Sequence, residues 1–220
     1  MNRVIGRLRL IKQRSVMQTK LLDTIQGSTS GIIKGKLFKV MTKNENQFGY
    51  QYQSGLNILT DDFNDDPKIS CGKGGFYFTN AQHIFHFLHY GHKIREVQLP
   101  IDDIDLKVTQ DPSKTKWRTN KIILGDQYLL SEIKTFEYLI NEGAGDIDLA
   151  LYWCVKNNFL EGVKFLLEKG ANVLSNYGLA VRLSARHGHN DILQYFIENK
   201  NIYPYDEVIA ELDTKNNFMD

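Results

Sequence analysis

The chain has 220 residues, 42% of them hydrophobic and 24% charged, so it can bury one or two ordinary cores. A formal charge of +1 removes any global reason to expect nucleic acid. No apolar run approaches the roughly 18 residues of a membrane span, and the two cysteines, Cys71 and Cys154, do not make a disulfide framework, which fits a reducing compartment.

The near-neutral total hides an asymmetry. Residues 1–36 carry eight basic side chains (Arg3, Arg7, Arg9, Lys12, Arg14, Lys20, Lys34, Lys36) against Asp23, leaving 19 of the 27 basic and 25 of the 26 acidic residues for the remainder. The segment reads as a basic, flexible extension, with a transit peptide as the competing reading. Its charges alternate with Ile, Leu and Val rather than with aromatic rings, which gives little support to single-strand binding.

From Lys36 the pattern becomes that of strands. Leu37–Met41 and Gly49–Gln53 alternate, and Gly74-Gly75 leads into a short buried strand at Phe76–Thr79. A helix capped by Thr79 or Asn80 is expected over Ala81–Tyr90, closed by Gly91. Ile94–Pro100 reads as a strand, residues 101–116 as polar turns, and Trp117–Leu124 as a last strand ending in a Gly125-Asp126 turn. The module at 37–128 is therefore expected to be an α+β domain.

Beyond Leu130 the apolar period lengthens to that of a helix. Ile133, Phe136, Leu139 and Ile140 form one stripe; Leu160, Val163, Leu166 and Leu167 form a second; Ile192, Tyr195 and Phe196 begin a third. Residues 150–170 and 180–200 are two versions of one segment offset by thirty residues: Cys154–Asn158 lies over Ser184–Gly188, and Phe165–Glu168 over Tyr195–Glu198. Such a period marks a helical repeat array. The expected copies are 129–145 (degenerate), 146–175 and 176–203, with 204–220 as cap and tail.

The repeat resembles the ankyrin repeat. Ala150, Leu151, Val163, Leu166, Leu167, Gly170 and Ala171 match in one copy, and Ala180, Ala185, Gly188 and Ile192–Ile197 in the other. The Thr-Pro-Leu-His opening is absent, Asn158 stands where Gly is usual, and thirty residues is three short of the common spacing. The blocks Asn44–Tyr52, Gly55–Asn57, Asp62–Pro67, Gly74–Thr79, Ile94–Val97 and Trp117–Gly125 resemble the N-terminal domain of the ankyrin-repeat protein family of mimivirus-type giant DNA viruses. The resemblance implies an α+β N-terminal domain followed by an all-α ankyrin-type stack. It also implies a non-enzymatic adaptor or scaffold that binds a host or viral protein in the host cytoplasm or virion. An enzymatic N-terminal domain, or a nucleic-acid module aided by the basic leader, is the alternative.

No cofactor, metal or catalytic residue is expected. His83, His86, His89 and His92 invite a metal reading, yet on an α-helix successive steps of three turn by about −60°, so only neighbours would share an ion. Gly72-Lys73-Gly74-Gly75 lacks the length and ending of a phosphate loop. Candidate protein-binding residues are Tyr152, Lys156, Asn157, Asn176, Tyr177, Arg182, Arg186 and His187, on the first helix of each repeat and the turn before it. Tyr and Arg combine contact area with hydrogen bonding at interfaces.

Overall fold

The computed structural model describes residues 35–200. The basic extension, apart from Gly35 and Lys36, and the expected cap at 204–220 lie outside the described residues. The described chain has a sheet-rich N-terminal region followed in sequence by helices, and it divides into two units. One comprises 35–81 and 94–127; the other comprises 82–93 and 128–200. Residues 82–93 thus group with the helices although they lie between strands in sequence.

The first unit is built on strands β1 (Leu37–Met41), β2 (Asn46–Gln47), β3 (Tyr50–Gln51), β4 (Gly55–Ile58), β5 (Phe76–Asn80), β6 (Lys93–Gln98), β7 (Val108–Gln110), β8 (Trp117–Thr119) and β9 (Lys121–Leu129). Seven form one sheet in the order β4-β9-β6-β1-β5-β8-β7, and β2 pairs with β3 in a separate hairpin. β5 and β8 run antiparallel with Tyr77 opposite Arg118, and β4 pairs with β9 with Asn57 opposite Ile122. Met41, Tyr52, Phe76, Phe78, Val97, Trp117, Ile122 and Leu124 form the core beneath the sheet. The aromatic members pack edge-on or offset, as ring quadrupoles favour: Tyr50 and Phe76 centroids lie 4.7 Å apart, and Phe78 stacks on Trp117.

Strand β7 lies within the stretch 101–116 expected as polar turns, and two further features of this unit depart from the sequence expectation. The last strand is two strands, broken at Asn120, and Gly125-Asp126 lies inside β9 rather than in a turn. The break has a cause. Asn120 turns its side chain outward, accepting a hydrogen bond from the Lys107 amide at 2.7 Å and donating one to the Asp105 carbonyl at 2.8 Å. Here β8 leaves its partners β5 and β7, and β9 takes up β4. The second feature is Lys39. Alternation along β1 puts it on the same face as Leu37 and Met41, which contribute to the core. Its ammonium donates to the Tyr77 carbonyl at 3.0 Å and sits 4.9 Å from the Tyr52 ring centroid. Burial depresses its pKa to about 7.

Residues Ala81–Tyr90 form a 3-10 helix, not the expected α-helix. With about three residues per turn and a rise near 2 Å per residue, positions three apart share a face at about 6 Å spacing. His83, His86 and His89 therefore fall in one row, and the His83 and His86 ring centroids are 5.9 Å apart. Ile84, Phe85 and Leu88 occupy the other two faces and are buried. The period of the segment, one His followed by two apolar residues, matches three residues per turn better than 3.6.

The second unit continues with α1 (Ile133–Asn141), α2 (Ile147–Lys156), α3 (Leu160–Glu168), α4 (Ser175–Arg186) and α5 (Asn190–Lys200). Helix α2 packs against both α3 and α4, α4 against α5, and α3 against α1 and α5. Two layers result: α2 and α4 in one, α1, α3 and α5 in the other. The stack is short. Phe136, Leu139, Ala150, Leu151, Cys154, Val155, Val163, Leu166, Ala180, Ile192 and Phe196 fill it.

Candidate protein-interaction face

Each repeat position inherits its geometry from a helix end, and four helix ends in the stack are alike. Gly143, Asn158, Gly170 and Gly188 hold left-handed φ of 95°, 53°, 98° and 67°. The amide after each donates back to a carbonyl of the last turn at 2.9 Å: Ala144 to Leu139, Phe159 to Cys154, Ala171 to Leu166 and His189 to Ser184. This is a Schellman closure, and it satisfies carbonyls that a helix end otherwise leaves bare. Asn158 takes the left-handed conformation that the ankyrin resemblance assigns to glycine, a substitution asparagine tolerates because its short amide is compatible with positive φ.

Small residues let the two layers approach. An added Cβ on Gly162 would lie 2.8 Å from the Cys154 sulfur and 2.5 Å from a Phe159 ring carbon. Burial pushes the Cys154 thiol pKa up, as for an inert core sulfur. Polar contacts add to the packing. Within one repeat the Asn172 amide donates to the Asp148 carboxylate at 2.7 Å, and between repeats His189 Nδ1 lies 2.7 Å from the Val155 carbonyl oxygen.

Six of the eight candidate residues fall into pairs related by thirty residues: Tyr152 with Arg182, Lys156 with Arg186, and Asn157 with His187. Because α2 and α4 lie side by side, these pairs form adjacent rows on the stack. Lys156, Asn157, Arg186 and His187 are exposed at the C-terminal ends of their helices, where a cation complements the helix dipole. Asn157 donates its side-chain amide to the Trp153 carbonyl at 2.8 Å, and the His187 ring stacks on His189 with centroids 5.6 Å apart. Tyr152 is half-buried, and its hydroxyl is enclosed with no hydrogen-bond partner among the described residues.

Asn176 and Tyr177 lie apart from that row, at the start of α4. With Gly178 they form a run of three left-handed residues that interrupts the first turn of the helix. Arg182 reaches back across this kink and donates to the Asn176 carbonyl at 3.3 Å, so it braces the turn. The turn presents Tyr177 at 93% exposure next to Leu174 at 50%. The sequence does not single out Leu174; an apolar residue beside a polar turn carries too little signal alone.

The histidine row contributes a local tie. His86 Nε2 lies 2.6 Å from an Asp146 carboxylate oxygen just before α2, and the Gly145 amide donates to the Gln82 carbonyl. Among the described residues no group of three or more His, Cys, Asp or Glu side chains converges on a metal-sized site. No described helix is long and apolar enough to cross a membrane.

The ankyrin repeat family model matches residues 146–176, which cover α2 and α3. "Putative ankyrin repeat protein R868" of Acanthamoeba polyphaga mimivirus is 39% identical over 160 residues, spanning 72% of this chain and 80% of that protein. The chain belongs to the mimivirus ankyrin-repeat protein family. A second member, "Putative ankyrin repeat protein R896" of the same virus, is 37% identical over 65% of this chain and 44% of its own length. "Uncharacterized protein R869", also of that virus, is 42% identical over 59% of this chain and 96% of its own length. This member of the family thus matches nearly all of one relative and under half of another. No solved structure matches.

Proposed function

We propose that the chain is a non-enzymatic adaptor that uses the α2–α4 layer of its stack to hold a segment of a host or viral protein, in the host cytoplasm or the virion. Family membership and the matched repeat support a protein-interaction role. The observation that carries the reading is the thirty-residue equivalence of Lys156 with Arg186, which repeats an exposed basic group at the same place on adjacent helices, with Tyr152 and Arg182 equivalent in position beside them. Lys156 and Arg186 make the row cationic, and it suits a partner segment bearing carboxylates, with Tyr177 and Leu174 offering apolar contact at the far end.

The test is affinity capture from infected-cell extract with the full chain and with a Lys156→Glu, Arg186→Glu, Tyr177→Ser variant. Loss of a captured protein with an unchanged unfolding midpoint supports the face. Undiminished capture by the variant moves binding to the sheet-rich unit.

A further inference from the structure

At one end of the sheet, two segments bring a thiol, an ammonium and a carboxylate together. The loop before β5 supplies Ser70 and Cys71, and the hairpin turn between β7 and β8 supplies Asp111 and Lys116. The Asp111 side chain is buried, and its oxygens accept hydrogen bonds from three donors. Ser70 Oγ approaches both, at 3.0 and 3.2 Å; the Cys71 amide donates at 3.2 Å and the Ser113 amide at 3.0 Å. Burial alone would raise the Asp111 pKa. The donors from Ser113, Cys71 and Ser70 outweigh it, and the carboxyl is held below its ordinary value. An ionised Asp111 thus anchors the backbone of Cys71, which takes a left-handed φ of 54°.

Lys116 fills the space between these groups. Its Nζ is 2.8 Å from the Cys71 sulfur, 3.6 Å from Asp111 Oδ2 and 5.4 Å from the Tyr77 ring centroid. The Lys116 side chain is 13% exposed, whereas Cys71 is open to solvent. The ammonium is therefore fixed beneath the sulfur, and the sulfur's outer side is free for a reagent. The Lys116 hydrogen bond is the main cause holding the Cys71 thiol below its ordinary pKa. Ser70 adds less than its proximity suggests, because its single proton lies nearer Asp111 than the sulfur 3.7 Å away.

We propose that Cys71 is a modification site, a thiolate activated by Lys116 that is oxidised by peroxide-class oxidants. The Cys71 sulfur attacks one peroxide oxygen; an S–O bond forms as the O–O bond breaks. Sulfur is oxidised to sulfenic acid and the peroxide is reduced. The departing hydroxide takes a proton from the Lys116 ammonium and leaves as water, so Lys116 ends as a neutral amine. The chain's other cysteine, Cys154, is buried in α2, which leaves the sulfenic acid exposed to solvent and to small thiols.

The experiment uses the full chain, with iodoacetamide as a probe of thiolate and hydrogen peroxide followed by dimedone as a probe of sulfenic acid. Both modifications are located by peptide mass spectrometry, with Cys154 as the internal control. The alkylation rate of Cys71 should follow an ionisation below that of an ordinary thiol. Near pH 6.5 it should fall several-fold in Lys116→Met, since a thiol without the ammonium beside it holds less thiolate there. Lys116→Arg should retain most of the rate, and dimedone should mark Cys71 and not Cys154. A wild-type pH–rate profile with an ordinary thiol midpoint overturns the proposal even if Lys116→Met does not fold. Equal rates in folded wild-type and Lys116→Met protein overturn it too, as does absence of the dimedone adduct at Cys71.

Discussion

The His189 ring donates its Nδ1 proton to the carbonyl oxygen of Val155, thirty-four residues earlier and one repeat away, at 2.7 Å. The contact fixes the tautomer of the ring, because only the protonated nitrogen can face a carbonyl. It also binds the turn before α5 to the end of α2, so the second repeat is positioned by a hydrogen bond as well as by packing. His189→Ala should lower stability by about 1 kcal/mol, the net worth of a partly buried hydrogen bond. His189→Asn, whose amide can imitate Nδ1, should recover part of that. Urea unfolding of the three proteins checks the order; an unchanged midpoint in His189→Ala would refute the tie.

Gly162 sets two effects of known size against each other. Alanine is favoured over glycine inside a helix by about 1 kcal/mol. The new methyl would lie 2.5 Å from a Phe159 ring carbon and 2.8 Å from the Cys154 sulfur, and overpacking of this kind costs about 1–3 kcal/mol. The buried contact should win, so Gly162→Ala is expected to lower the thermal midpoint. Gly162→Ala combined with Cys154→Ala should regain part of the loss by removing one of the two obstacles.

Lys39 carries a pH prediction. Its pKa in the folded chain is about 7 against 10.5 for an unhindered lysine. Between these values the unfolded chain binds more protons, so stability must rise with pH across that window. Below about pH 7 both states hold the proton, and the full cost of burying the ammonium is present. Above 10.5 neither holds it and the cost is gone. The Tyr52 ring and the Tyr77 carbonyl favour the charged form and offset part of the penalty. Lys39→Met should therefore stabilise the chain at pH 6 by a few kcal/mol at most, at about 1.4 kcal/mol for each tenfold weakening of proton binding. It should also flatten the stability profile from pH 7 to 10; a slope equal to that of the wild type would contradict the buried ammonium.

How much of the molecule is legible in the sequence follows from which periods are unambiguous. The thirty-residue repeat places α2 to α5, because two copies reinforce one pattern and the helix ends carry Gly or Asn at fixed positions. The 3-10 helix escapes an α-helical wheel, on which its histidines spread apart. On a threefold wheel His83, His86 and His89 align. Strand β7 is hidden in a polar stretch: of Val108, Thr109 and Gln110 only one is hydrophobic, and Thr109 is buried by its neighbours rather than by its own chemistry. The candidate face is legible as spacing, since Lys156 and Arg186 sit at equal places in the repeat. The kink that presents Tyr177 is not, because three left-handed residues in a row are unforeseeable from Asn-Tyr-Gly. The Cys71–Lys116 pair depends on residues forty-five positions apart, and nothing local announces it.

Arg118 gives the sharpest test of how the sheet-rich unit holds its long loop. The side chain is fully buried and faces carbonyl oxygens rather than a carboxylate. Its Nε donates to the Asn64 carbonyl at 2.6 Å, Nη1 to that of Ile69 at 2.7 Å and Nη2 to that of Asp66. Nη1 also meets the Tyr77 hydroxyl, whose own proton goes to the Gly72 carbonyl at 2.9 Å. A planar cation thus gathers the loop between β4 and β5 around one point. Replacing it with methionine keeps apolar bulk but removes every donor, leaving buried carbonyls unpaired at about 1–3 kcal/mol each where water cannot reach them. Arg118→Met should therefore open residues 60–75 to limited proteolysis. Arg118→Lys should rescue little, because one ammonium cannot span three carbonyls held in a fork. Peptide mapping after brief protease exposure decides the matter: cleavage of the loop at the wild-type rate in Arg118→Met would show that the loop is held by something else.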